Sequence, residues 1–311
     1  MKSLYSHASS NAGIGCLMLL SANHRGALLM AVSMLCFVLN DGVMKALFAD
    51  MTIYQAIFLR GLITAPLLAA MAWRQGVLAP RLSARDWWLV MIRGIAEVGA
   101  TVGFLTALAH MPLANVTAIL QALPLTVTMA AALFLGEAVG WRRWLAICVG
   151  LVGVMIIIRP GMTGFSSYSV WALAAVGCIT LREIVTRRLS ANVPSLPVAL
   201  VTATAIGLLG AAMMPFVSWQ PVAGHSWAFV GAASIAIVGG YLFSVMAIRS
   251  GDIGFVAPFR YTAMVWAIGL GLLMFGELPD QATMIGTTII IVTGLYSLHR
   301  EQRLRRTAPQ Q

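Results

Sequence analysis

"CFVLNDGVMKALFA", residues 36–49, is answered 142 residues later by "CITLREIVTRRLSA", residues 178–191. Cys36 meets Cys178, Val43 meets Val185, Leu47 meets Leu189 and Ala49 meets Ala191, while the acid and base Asp41 and Lys45 meet Glu183 and Arg187. Both copies lie in long apolar runs. A lone Asp or Lys at the middle of a bilayer costs roughly 2.5 to 3.5 kcal/mol on insertion scales, so charges in such runs need compensation. In each copy the acid precedes the base by four residues, which places both on one helix face in the better i,i+4 order. The spacing therefore predicts an intrahelical ion pair in each copy.

Outside this repeat the composition sets the class. Of the residues 60% are hydrophobic and 10% charged, and mean hydropathy is +0.88, whereas a soluble domain carries about 25% charged residues. Apolar runs of 18 or more residues, each enough to cross about 30 Å of hydrocarbon, recur near 26–48, 52–73, 87–109, 113–135, 141–158, 168–190, 194–217, 226–248, 253–275 and 281–298. The chain reads as an all-α polytopic membrane protein of ten transmembrane helices, with nothing left over for a soluble domain.

The later parts of the halves agree at a shift of 140, where Val116 meets Val256, Leu133 meets Leu273 and Gly136-Glu137 meets Gly276-Glu277. Each half holds five helices, an odd number, so the second must enter the membrane from the opposite side. The reading is two inverted five-helix repeats, at 26–158 and 168–298, between an N-terminal tail (1–25) and a basic C-terminal tail (299–311). Inverted repeats are a hallmark of secondary transporters, whose substrate sits between the halves near the midplane.

The net charge of +10 reports orientation rather than a nucleic-acid partner. Arg25, Arg74, Arg81, Arg85, Arg142, Arg143, Arg187, Arg188, Arg249, Arg300, Arg303, Arg305 and Arg306 fall with Lys2 on one side, against Arg159, Asp50, Glu277 and Asp280 on the other. The positive-inside rule then makes both termini cytoplasmic. An apolar patch at 12–23, "AGIGCLMLLSAN", is too short to span. It reads as a weak signal peptide or as an over-extended start upstream of Met18 or Met30.

The five-helix units and their endings, "LGEAVGWRRWLAICVGLVGVMIII" and "FGELPDQATMIGTTIIIVTGLYSL", resemble the drug/metabolite transporter superfamily in its ten-helix branch of two EamA-type halves. The resemblance implies a central cavity lined by both halves and opening to either side in turn, with the last helix of each half serving structure or a homodimer contact. "NDGVMKALF", "FLRG" and "IRGIAEVGA" are most similar to the branch with bacterial riboflavin importers and S-adenosylmethionine carriers.

The ionisable residues in the spans are Lys45, Arg60, Arg93, Arg182 and Arg260 against Asp41, Glu97 and Glu183. Such residues face a polar interior by default. Arg93 and Glu97 form a third i,i+4 pair, and the depth of Glu97 makes it the favoured proton-linked carboxylate. The same pairs would serve equally to lock helices together. Asn40 beside Asp41, Arg60, Asn115 and Gln121 on the fourth helix, and Phe255, Phe259, Arg260, Tyr261 and Trp266 on the ninth, complete the expected lining, with Pro124 and Pro258 interrupting those two helices. Glu137 and Glu277 read as loop-shaping residues at helix ends.

Four cysteines, Cys16, Cys36, Cys148 and Cys178, form no CxxC pair, and five histidines form no HExxH motif. Neither a metal nor another cofactor is expected, and without a GxxxxGK[ST] loop neither is ATP. The sequence thus points to a secondary carrier of a small organic metabolite in the bacterial inner membrane. Riboflavin uptake is the favoured substrate reading, on the aromatic residues of the ninth helix. An S-adenosylmethionine carrier and an amino-acid or metabolite exporter are the alternatives, and an intramembrane enzyme the alternative class. "GLVGV" around Gly150 and Gly153 would allow close helix packing between subunits.

Overall fold

Long apolar runs in a solvent without water must satisfy their backbone internally, and the chain does so with helices alone: the described residues contain no strand. The computed structural model describes residues 21–78, 80, 82–161, 165–190 and 193–307. Lys2, Cys16, Arg81, most of the apolar patch at 12–23 and the last four residues of the tail lie outside them.

Ten helices among the described residues are long and apolar enough to cross a membrane. These are α1 (Ala22–Leu47), α2 (Ile53–Arg74), α3 (Ala84–His110), α4 (Leu113–Leu135), α5 (Trp141–Ile158), α6 (Ser169–Arg187), α7 (Ser195–Phe216), α8 (Gly224–Ser250), α9 (Gly254–Phe275) and α10, whose span Gln281–Arg300 continues as helix to Thr307. Thr52 and Ser83 cap α2 and α3 by accepting from the backbone N–H of Gln55 and Asp86. Large apolar side chains such as Ile95, Leu133, Ile235 and Leu273 stay exposed on the outside, as lipid-facing positions require.

α4 and α9 are interrupted as the prolines predict. α4 breaks between Leu120 and Leu123, with Pro124 opening its second part, and α9 passes through a 3₁₀ turn, Ala257–Tyr261, that holds Pro258. Both end on a left-handed glycine, Gly136 at φ 69° and Gly276 at φ 66°. The N–H of the next residue reaches back to the carbonyl of Ala131 or Gly271, closing a left-handed turn at the helix end. This accounts for the repeated Gly-Glu: the glycine supplies the conformation, and the turn fixes where the glutamate points.

The packing is pseudosymmetric. α1 lies on α8 as α3 lies on α6, and α2 on α7, α4 on α9 and α5 on α10; exchanging helix i with helix i+5 returns the same set of pairs. The glycine stretch in α5 packs within the chain: a Cβ on Gly153 would sit 2.8 Å from the Gly286 carbonyl of α10. The close contact expected between subunits is thus formed inside one molecule.

Candidate functional site

At the centre, α1, α2, α3, α7 and α8 surround a cavity of about 750 Å³, counting the solvent at its mouth. Its polar lining is Asn40, Asp41, Arg60, Thr64, Glu97, Thr101, Thr202 and Tyr241, with Phe104 among the apolar residues that complete it. Four of the expected site residues, Asn40, Asp41, Arg60 and Glu97, are brought together here.

None of the three expected i,i+4 ion pairs forms; each charge finds a partner elsewhere, mostly on another helix. Lys45 turns from Asp41 to Glu277 at the end of α9, with Nζ 2.7 Å from both carboxylate oxygens and 2.9 Å from the Met111 carbonyl. Glu97 turns from Arg93 to Arg182 on α6, one of whose nitrogens donates to both its oxygens at 3.0 and 2.9 Å. The other terminal nitrogen of Arg182 holds Glu183 at 2.6 Å, and Arg187 goes to Glu137 at the end of α4, at 2.9 Å. For Lys45, Glu97 and Arg187 the physical reason is that i,i+4 side chains share a face at the helix surface, and that face here meets an opposite charge from another part of the chain.

Two charged groups hydrogen-bond to neutral partners. Among the described residues Asp41 receives a hydrogen bond only from the Asn40 amide, at 2.9 Å, and that amide's oxygen accepts from Arg60 at 3.1 Å. Arg93 donates to two hydroxyls, Thr186 at 3.1 Å and Thr202 at 2.7 Å, and to no carboxylate among the described residues. Its hydrogen-bond partners are neutral, and Glu183 is an electrostatic neighbour.

The other expected residues are placed differently. Lys45, Arg93, Asn115, Gln121, Phe259, Arg260, Tyr261 and Trp266 are absent from the cavity's lining. Gln121 donates to the Tyr261 carbonyl at 3.2 Å, so the repeat-related breaks in α4 and α9 satisfy each other where the two helices cross. Trp266 donates to the Ala31 carbonyl at 3.1 Å, and it packs with Phe259 against Leu29, Met30 and Met34 of α1. Tyr261 is buried with its hydroxyl against Gly294 of α10. Arg260 is exposed, with Glu183 as an electrostatic neighbour. The aromatic stripe is packing, and Phe255 belongs with it, tilted against Phe259 at 6.0 Å.

Sequence reasoning did not select Thr202, Tyr241 or Phe104 for the lining, nor Arg182 as the partner of Glu97. Arg182 carried a signal as a base within a span; the others carry none beyond polarity or aromaticity in an apolar run. Glu277, read as loop-shaping, is also half of a partly buried ion pair.

Comparison with known proteins gives a consistent picture. A model of the EamA-like transporter family matches residues 24–159 and 166–298. The chain is 26% identical over 283 residues to the pseudopaline exporter CntI of Pseudomonas aeruginosa (strain UCBPP-PA14), covering 88% of this chain and 96% of that one. It is 28% identical over 233 residues to a riboflavin transporter of Vibrio cholerae serotype O1, covering 73% and 75%. It is 22% identical over 221 residues to an S-adenosylmethionine uptake transporter of Rickettsia conorii, covering 68% and 72%. A crystal structure at 21% identity superposes with a TM-score of 0.61 over 92% of this chain and 99% of its own, a likeness of fold.

Proposed function

The chain belongs to the EamA-like transporter family, and from that membership we propose that it is a secondary carrier for a small metabolite bearing both a carboxylate and an ammonium group. The observation that carries this reading is the cavity's pairing of opposite charges: Arg60 and Asp41 both line it and, among the described residues, their side chains hydrogen-bond only with the Asn40 amide. Arg60 would hold the substrate carboxylate and Asp41 its ammonium, with Arg93, outside the lining but bonded to the cavity's Thr202, adding positive charge nearby. Asn40 and Thr202 would orient these groups, while Glu97 with Arg182 braces the wall between the halves. Relatives named as transporters support a carrier rather than an intramembrane enzyme.

The pseudosymmetric packing supports two inverted five-helix units, one in each matched region, and the arginine-rich loops support cytoplasmic termini in a bacterial inner membrane. A fluorescent protein fused after Arg300 should be active and a periplasm-dependent phosphatase there silent.

Riboflavin is the second reading, favoured by the Vibrio relative. It ranks lower because the aromatic residues that would stack on a flavin are packed against α1 and α10 instead. Uptake of labelled amino acids, S-adenosylmethionine and riboflavin into proteoliposomes separates the two. Arg60→Gln should lower transport of a carboxylate-bearing solute roughly ten- to a hundredfold, the worth of hydrogen bonds to a charged group. Saturable riboflavin transport that Arg60→Gln leaves unchanged would replace the zwitterion reading with the flavin one.

A further inference from the structure

A groove runs down the outside of the molecule between α5 and α10, away from the central cavity. It is lined by Trp141, Arg142 and Tyr296 near the end that carries the basic tail, and by Leu145, Val149 and Val292 deeper in the span. Trp141 is 71% exposed, and the Arg142 guanidinium lies 5.3 Å from its ring centroid. From Trp141 to Val149 is eight helical residues, about 12 Å at 1.5 Å each, so the groove passes from interfacial to hydrocarbon depth.

The internal repeat supplies a comparison. At the shift of 140, the apolar members Leu145, Val149 and Val292 correspond to Ile285, Ile289 and Val152, which are apolar too. The three members at the mouth have no such counterpart: Trp141, Arg142 and Tyr296 correspond to Gln281, Ala282 and Ile156. The helix contact differs as well. Gly153 and Gly286 touch at one crossing point, whereas their counterparts Thr293 and Ala146 carry side chains and line the groove. A purely structural crevice would need the same residues at both ends. Only the basic end has aromatic and cationic groups over an apolar floor.

We propose that this groove binds an anionic phospholipid, its phosphate on Arg142, its glycerol region between Trp141 and Tyr296, and one acyl chain along Leu145, Val149 and Val292. Arginine suits a phosphate through its several planar donors, tryptophan and tyrosine favour the headgroup level, and basic pockets between helices on the tail-bearing face suit anionic headgroups. The positive charge of the α10 extension, with Arg300, Arg303, Arg305 and Arg306 in sequence, complements the same partner.

The test is native mass spectrometry of the purified full chain with added phosphatidylglycerol or phosphatidylcholine. Retained phosphatidylglycerol should exceed phosphatidylcholine at least threefold, fall at least threefold in Arg142→Ala, and largely return in Arg142→Lys. Equal retention of both lipids, or full retention in a well-folded Arg142→Ala, would overturn the assignment. Should Arg142→Ala fail to fold, the wild type still decides: brominated phosphatidylglycerol should quench tryptophan emission more than brominated phosphatidylcholine, and Trp141→Phe should remove the difference. Quenching that Trp141→Phe leaves intact refutes the site. Efficient disulfide formation between two copies of Leu145→Cys in membranes would give the groove to a second subunit and likewise refute it.

Discussion

Glu97 and Arg182 are 10% and 18% exposed at the side chain; Arg182 is the cation bonded to Glu97, and it also holds Glu183 at 2.6 Å. Removing one partner of a buried pair leaves an uncompensated charge and typically costs about 3–5 kcal/mol, whereas removing both costs far less. Glu97→Gln and Arg182→Gln should each destabilise the fold, and the double variant should recover part of the loss, the remainder lying in Glu183, which also loses its Arg182 partner. Additive losses in that double-mutant cycle would deny the coupling. Asp50, in the turn between α1 and α2, gives a pH-dependent counterpart. Hydrogen bonds from Ser226 and then His225 hold its carboxyl below the ordinary carboxylate value. A lowered native pKa stabilises the fold above the unfolded value, about 3.9, and that contribution is lost as pH falls through the lower native value. Asp50→Asn should therefore melt below wild type at neutral pH, with the gap closing under acid. A gap that widens on acidification would contradict the sign. At this level the sequence was half legible. Polarity inside apolar runs marked Asp41, Arg60, Arg93 and Glu97 for the interior. Spacing showed which charges share a face but not which helix lies against it, so Arg93 was chosen for Glu97 where Arg182 stands.

The left-handed turns make the Gly-Glu corners sensitive to a single methyl group. At Gly276, φ is 66°, a region that costs an L-residue roughly 1–2 kcal/mol. Gly276→Ala should either carry that strain or shift the turn, and a shift would carry Glu277 away from Lys45; Gly269→Ala, with open space around its Cβ position, is the control. The contact between α5 and α10 is tighter: a Cβ at Gly286 would meet the Gly153 carbonyl at 2.5 Å, backbone against side chain. Gly286→Val should force the helices apart and lower thermal stability well beyond Gly269→Ala, and equal melting curves would contradict the packing. The ten spans were legible because hydropathy over a helix length is a local property, and the breaks in α4 and α9 because a proline lacks its N–H wherever it sits. The face that the ninth helix presents was not. Phe259, Tyr261 and Trp266 are amphipathic enough to line a cavity or pack a seam, and contact with Leu29, Met30 and Met34 selected the seam.

Lys45–Glu277 and Arg187–Glu137 are one interaction written twice, since Lys45 corresponds to Arg187 and Glu137 to Glu277 in the repeat. Each joins the first helix of one half to the Gly-Glu corner of the other, at opposite ends of the molecule, but the two copies are unequal. Lys45 and Glu277 are 12% and 30% exposed, with added bonds to the Met111 carbonyl and from the Leu113 N–H, whereas Arg187 and Glu137 are both 46% exposed. A carrier whose halves exchange roles would tighten one end while loosening the other, so the structure is latched at the Lys45 end. The combined change Lys45→Met with Glu277→Gln removes the latch without leaving a buried charge, and should shift the population toward opening there. Met111→Cys, at a buried position beside the latch, reports that opening through its rate of modification by a membrane-impermeant maleimide added outside cells, in a background without the native cysteines. The latch variant should react several-fold faster than its parent, and the corresponding change of Arg187 and Glu137 should leave the rate equal or slower. If both variants speed labelling alike, the pairs are ordinary surface contacts and the reciprocal mechanism fails. If neither does, the Lys45 end is held shut by its apolar packing, with Leu47, Met51 and Leu113 all buried there, and the ion pair is a consequence of closure rather than its cause.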